Sequence, residues 1–275
     1  MIRRKKHDDF SLCEQLHFPQ EAVKKIAAAD AQYDHEALAP VWRKLYDPKT
    51  WDAAVKELQG IFAEDEDGMK MLTCMLHCCL YTRELYEERG IPEDIFLATM
   101  SFLIRFLERQ KEIAGEYAFV WAWWFPRQLA LREFRIGELE YEMTEEGGVP
   151  CLSVHIPAGV SLTKEKLGAT HRAWKAFAAK FFPAYENAEV CCDSWMLSPA
   201  LRELLTANSN ILYFQSCFEI LHSDDNDAVL DWVFPGEKPP YEQLSERTSL
   251  QRAMKRYLVN GGRVGWTKGR LRSFG

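Results

Sequence analysis

The 275 residues are 47% hydrophobic and 27% charged, the balance of a folded globular protein and long enough for one large domain or two ordinary ones, which excludes a wholly disordered chain. The net charge is −7, but from Arg247 to Gly275 there are eight Lys and Arg and no acid, so the remainder carries −15; an acidic body excludes general nucleic-acid binding, while the basic end can attract an anion. No apolar run reaches the roughly 20 residues of a membrane span, no signal core follows Met1, and eight dilute cysteines read as reduced thiols, so a cytoplasmic protein with no disulfides and no membrane partner is expected.

In chain order, the first half reads as helix after helix. Residues 21–32 and 35–46 are short helices punctuated by Pro19, Pro40 and Asp47-Pro48, and 50–63 follow with Thr50 as a candidate N-cap. Residues 69–81 are apolar on nearly every face and read as a helix in the middle of a bundle. After Gly90, Pro92-Glu93-Asp94 make a favourable first turn for a helix reaching about Gln110, and 117–129 also read as helical. The period then changes. Phe134 to Met143 and Cys151 to Pro157 are extended stretches around Gly147-Gly148, the pattern of a hairpin. Residues 163–182 form the clearest helix, capped by Thr163 and carrying the stripe Leu167, Thr170, His171, Trp174, Phe177. A buried strand over 189–197, a helical piece over 199–214, a strand pair over 217–222 and 228–234, a helix over 247–260 and a glycine-spaced tail complete the reading.

The expected fold class is α+β: a helical N-terminal domain over 1–115 and a mixed-sheet α/β domain over 116–275 with a basic C-terminal helix and tail. The two are expected to pack through an apolar interface, since no Gly, Ser or Pro-rich tether separates them. Cys74, His77, Cys78 and Cys79 lack the spacing of a zinc site and read as a buried helix face, so no metal is expected. His171, on an apolar stripe, reads as a hydrogen-bonded core histidine.

From Cys151 to Phe234 the element order resembles the second half of the GNAT N-acetyltransferase fold. Leu212-Tyr213-Phe214-Gln215-Ser216-Cys217-Phe218 keeps that superfamily's Leu-Tyr and Phe at their spacing, with Ser209 at its alanine, Thr206 at its asparagine and Cys217 at its glycine. Over nearly the whole chain, Phe134-Arg135-Ile136-Gly137-Glu138-Leu139, His155-Ile156-Pro157, Ser194-Trp195-Met196-Leu197 and Ser209-Asn210-Ile211 look like a bacterial acyltransferase family. Its members pair an N-acyltransferase-type helical N-terminal domain with a GNAT-like C-terminal domain.

The resemblance implies a donor, acyl-CoA or acetyl-CoA, lying between two splayed parallel strands with its pyrophosphate at the turn into the next helix, where free N–H groups stabilise phosphate. Here that turn is Ile156, Gly159, Val160, Ser161, Leu162, Thr163 and Lys164, with one glycine where the superfamily has two small positions. Tyr213 takes the position that protonates the departing thiolate, and His155, on the strand expected to line the cofactor, can take the proton of the attacking amine. Glu140 and Glu142 are alternative bases or simply the wet face of a hairpin. The implied function is acyl-CoA-dependent transfer to a small-molecule or peptide amine; the alternative is a noncatalytic ligand-binding or protein-interaction module on a degenerate GNAT scaffold. Arg252, Lys255 and Arg256 share one helical face and could meet the outlying phosphate of coenzyme A or an acidic acyl carrier protein.

Overall fold

A computed structural model describes residues 9–274, and the chain divides into two compact units, one up to Phe134 and one from Arg135. The first is helical: α1 (Asp9–Gln15), α2 (Gln20–Asp30), α3 (Ala39–Trp42), α4 (Trp51–Ile61), α5 (Met69–Arg89), α6 (Glu93–Met100), α7 (Phe102–Ala114) and α8 (Pro126–Leu129). As its all-round apolarity predicts, α5 is central, packing against α1, α2, α6 and α8. Cys74, Cys78 and Cys79 are fully buried in it, and His77 pairs with Asp30 at 2.7 Å. All eight cysteines are free thiols. The start of α5 is held by acids just before it: Asp65 accepts from the Lys70 and Met71 N–H groups and Asp67 from Met69, satisfying donors a helix cannot pair internally.

Several expectations change here. Thr50 does not cap α4; its hydroxyl donates to the Lys44 carbonyl at 2.8 Å. The helix expected over 93–110 is two, meeting at Ser101. Of 117–129 only α8 is helical, because the preceding chain bonds outward instead: Phe119 N–H donates to the Asp67 carbonyl and the Tyr117 carbonyl accepts from Lys25. Those bonds to the helices explain why the compact units part after Phe134 rather than near residue 115.

The first unit also holds a stacked column. The His35 ring lies 4.3 Å from His77 and 5.1 Å from Trp42, and its Nδ1 is buried with no partner. Burial first, then the charge of His77, lowers its pKa to about 3, against the raising effect of Asp30 and Asp34. An unfolded histidine binds its proton near pH 6.5, so between about 6.5 and 3 the unfolded chain holds the extra proton and stability falls as pH falls. Allowing for partial exposure, the expected loss is on the order of 1 kcal/mol per pH unit. Urea unfolding at pH 7 and pH 5 should show a smaller loss in His35→Gln than in the wild-type chain; equal losses would refute the assignment.

The second unit is built on a six-stranded sheet whose first strand begins two residues before the division: β1 (Glu133–Ile136), β2 (Leu139–Glu146), β3 (Val149–His155), β4 (Glu189–Ser194), β5 (Phe218–Asp224) and β6 (Trp266–Leu271), in the order β1-β2-β3-β4-β6-β5. Between β3 and β4 runs α9 (Lys164–Phe181), and α10 (Leu201–Leu204), α11 (Asn210–Ser216), α12 (Val229–Val233) and α13 (Ser249–Val259) complete the unit. The β2–β3 hairpin turns on Gly147-Gly148, both at positive φ, as read from sequence. The extended run from Phe134 breaks at Gly137, which has φ 57° and no room for a side chain, since a Cβ would stand 2.4 Å from Thr170 Oγ1.

Two further corrections matter to the sheet. Residues 228–234, expected as a strand, contain α12, started by the Asn226 side chain accepting from Ala228 N–H. The tail after Gly261 contains β6, which lies between β4 and β5 and pairs antiparallel with both. The helical piece expected over 199–214 is the separate α10 and α11. Thr163 caps α9 as expected, accepting from Lys166 N–H, and Thr248 and Gln251 form a capping box on α13.

The sheet has two unlike faces. Tyr141 stacks on Trp174 of α9 at 4.5 Å and 9°, so Leu139, Tyr141 and Met143 point into the α9 core. By alternation the other face carries Glu140, Glu142 and Thr144, with Cys151, Ser153 and His155 beside them in register.

Candidate active site

Only three residue pairs join β3 to β4, the parallel pair: Cys151 with Glu189, Leu152 with Val190 and Ser153 with Cys191. Beyond them β3 runs on to His155 and β4 to Ser194 without pairing with one another, each held only by its other neighbour, β2 or β6. The strands therefore part at their C-terminal ends, leaving backbone N–H and C=O groups open to a ligand. Open sheets with parallel strands bind ligands at this end.

His155 closes β3 at the mouth of the gap. Its Nε2 lies 2.9 Å from Glu142 Oε2, and both side chains are mostly buried, at 24% and 13% exposure. With Glu142 ionised, Nε2 donates, and a neutral imidazole then carries its lone pair on Nδ1. Glu142 is thereby placed to orient the ring and balance the charge it gains on protonation. Glu140 is buried two residues earlier on the same face.

Ile156 to Thr163 form the loop from β3 into α9, and Lys164 opens the helix. Ile156 and Val160 are half-buried, Gly159 is exposed at φ 77° with open space around it, and the Leu162 side chain is buried in the core. Ser161 N–H is engaged: it donates to Glu138 Oε2 at 2.9 Å, while Glu138 N–H donates to Thr170 Oγ1 at 3.0 Å. The turn at Gly137-Glu138 thus fixes the loop against α9. This role of Glu138 has no local sequence signal, because it rests on contacts 23 and 32 residues away. Lys164 is exposed at the helix start and close enough to the Cys217 thiol to oppose the upward shift that burial gives it.

Tyr213 lies on α11, whose end is tied down by Gln215, bonded to the Ser198 carbonyl and to Arg202. One turn on, the Cys217 thiol donates to the Tyr213 carbonyl at 3.3 Å. The Tyr213 ring is half-buried and its hydroxyl is buried without a hydrogen-bond partner. Burial, and secondly the Cys217 side chain close to the hydroxyl though not in hydrogen-bond geometry with it, push its pKa up to about 12, so the phenol keeps its proton at neutral pH. Lys164 and Tyr213 both neighbour Cys217, which brings the start of α9 and the end of α11 together.

Other candidates fall outside this cluster. Lys255 pairs with Glu246 at 2.9 Å and Arg252 donates to the Glu246 and Arg247 carbonyls, so this basic face is occupied with its own flanking segment. His171 is not the hydrogen-bonded histidine expected: its Nδ1 is buried without a partner and its ring meets Phe274 edge-on at 5.8 Å. No helix among the described residues is long and apolar enough to cross a membrane.

The family model for the GNAT-like C-terminal domain matches residues 133–271, and that for the N-acyltransferase N-terminal domain matches residues 8–131. No curated protein matches. Among solved structures, an acyltransferase in complex with decanoyl-CoA and teicoplanin superposes with a TM-score of 0.77 at 23% identity, over 96% of this chain and 87% of that one. A mutant acyltransferase in complex with octanoyl-CoA gives 0.78 at 22% identity over 96% and 87%. The fold is thus shared over 96% of this chain, and the chain belongs to the family that joins an N-acyltransferase N-terminal domain to a GNAT-like C-terminal domain.

Proposed function

We propose that the protein transfers an acyl group from acyl-CoA to a primary amine, which is a small molecule or a peptide. The observation that carries this reading is the parting of β3 and β4 beyond Ser153 and Cys191, with His155 at one side of the opening. The pantetheine arm would pair with the open strand edges, and the pyrophosphate would meet the Gly159 to Lys164 turn, where Lys164 adds a positive charge. The amine nitrogen attacks the thioester carbonyl carbon; a C–N bond forms, the C–S bond breaks, His155 takes the amine proton, and Tyr213 donates to the departing sulfur. The buried, unpartnered Tyr213 hydroxyl supports an enzyme over a noncatalytic scaffold, since a missing partner is what a donor thiolate would supply. The reading places the reaction in the cytoplasm, where coenzyme A thioesters are held.

The neighbouring structures that bind decanoyl-CoA and octanoyl-CoA suggest the probe. Calorimetric titration with octanoyl-CoA, acetyl-CoA and free coenzyme A should give saturable binding, tightest for the longer acyl chain. Absence of binding to all three would overturn the reading.

A further inference from the structure

On the face of the sheet that carries His155, β4 presents Asp193. In the parallel register Ser153 stands beside Cys191; continued two residues past the last pair, that register and the strand alternation would set His155 opposite Asp193 on the same face, across the opening, and the two are within electrostatic reach of one another. Paired strands lie about 4.8 Å apart and these two are no longer paired at this level, so the proposal requires one amine nitrogen to be held between the imidazole and the carboxylate. Asp193 is within electrostatic reach of His155, Lys268, His222 and Asp224. It nevertheless makes no hydrogen bond or ion pair. Lys268, its register partner on β6, turns to Glu146 at 3.0 Å, and His222 is taken by Asp224 at 2.7 Å. The residue is exposed, though desolvation by the sheet raises the pKa of its carboxyl, against the lowering effect of Lys268.

An alkylamine arrives at neutral pH as an ammonium ion with three N–H donors and no lone pair. It needs a fixed anion to hold it and a base to remove one proton before it can attack. We infer that Asp193 anchors the ammonium group of the acceptor opposite His155, which makes the enzyme selective for cationic amines; this rests on the acyl-transfer reading above. Asp193 accepts one N–H of the ammonium ion, His155 takes a second proton, and the lone pair so released forms the bond to the thioester carbon; as the C–S bond breaks Tyr213 protonates the sulfur, and the third proton, shed by the acylated nitrogen, restores the phenol through solvent. Asp193 stays ionised throughout, and its remaining hydrogen bond keeps the nitrogen in place.

The test compares benzylamine, a cation at pH 7, with aniline, uncharged at pH 7, each with octanoyl-CoA as donor, in the wild-type chain, Asp193→Asn and Asp193→Glu. Thiol release gives KM and kcat, and saturation-transfer NMR with coenzyme A bound reads amine binding directly. In Asp193→Asn the KM and dissociation constant for benzylamine should rise about tenfold or more, with kcat within about threefold, the size of one lost charge-assisted hydrogen bond. Aniline constants, octanoyl-CoA affinity and melting temperature should be unchanged, and Asp193→Glu should recover part of the preference. Equal effects on both amines, no effect on either, or a wild-type chain that binds octanoyl-CoA but not benzylamine would each overturn the inference. Failure of the wild-type chain to bind octanoyl-CoA would instead remove the acyl-transfer reading beneath it, and the anchor with it.

Discussion

His155→Gln is expected to lower kcat/KM for amine acylation by about 100-fold or more, the usual contribution of a positioned general base, while leaving octanoyl-CoA binding intact. The side chain lies at the mouth of the opening and is half-buried, so glutamine fits without a cavity. The deficit should narrow as pH rises, because a growing fraction of the acceptor sheds its proton without help. Glu142→Gln should give an intermediate loss of about tenfold, since the ring remains but its orienting carboxylate, 2.9 Å away, becomes a neutral amide. Steady-state rates of both variants from pH 6 to pH 9 check this. A His155→Gln deficit constant across that range would mean the imidazole is not the base.

How much of this was legible in the sequence depends on the range of the interactions. Local signals held: the all-round apolarity of α5, the stripe and Thr163 cap of α9, the Gly147-Gly148 hairpin, and the place of His155 on a strand. Short or disguised elements did not. α12 is a five-residue apolar run, too short for its period to separate helix from strand, and the turn before it, in which Asn226 accepts from Ala228 N–H, tips it to helix. β6 reads as a tail because its inward positions are Thr267 and Gly269, not large apolar residues. Gly269 is required where a Cβ would stand 2.8 Å from Leu197 and 3.2 Å from the Glu219 carbonyl.

The site followed the same division. The resemblance pointed to His155, Tyr213 and the Gly159 turn, each within a short motif. Glu142, Glu138 and Asp193 become intelligible only once strand register is known. Glu142 is tied to His155 across a hairpin, Glu138 to Ser161 across a loop, and Asp193 is brought within electrostatic reach of His155 through a crossover of more than thirty residues. The expected buried strand over 189–197 gave Asp193 no part; its exposure between buried Cys192 and Ser194 emerges only in the folded strand.

Tyr213→Phe should separate function from stability. A buried hydroxyl with no partner costs roughly 1–3 kcal/mol of desolvation, so removing it should leave the fold as stable as before or more so. Over the same substitution kcat should fall about 100-fold, because the sulfur then leaves as an unassisted thiolate. Tyr141 supplies the control. Its hydroxyl is also buried and unpartnered, but the whole residue is sealed in the core against Trp174, whereas the Tyr213 ring is half-buried and within a ligand's reach. Tyr141→Phe should therefore match Tyr213→Phe in stability and keep full activity. Since the missing element would be help to the leaving group, an octanoyl thioester of an acidic thiophenol, which departs readily as the thiolate, should restore most of the Tyr213→Phe rate. Melting curves and turnover with both thioesters check all of this together, and a Tyr213→Phe variant equally slow with the acidic leaving group would show that the phenol acts on something other than the sulfur.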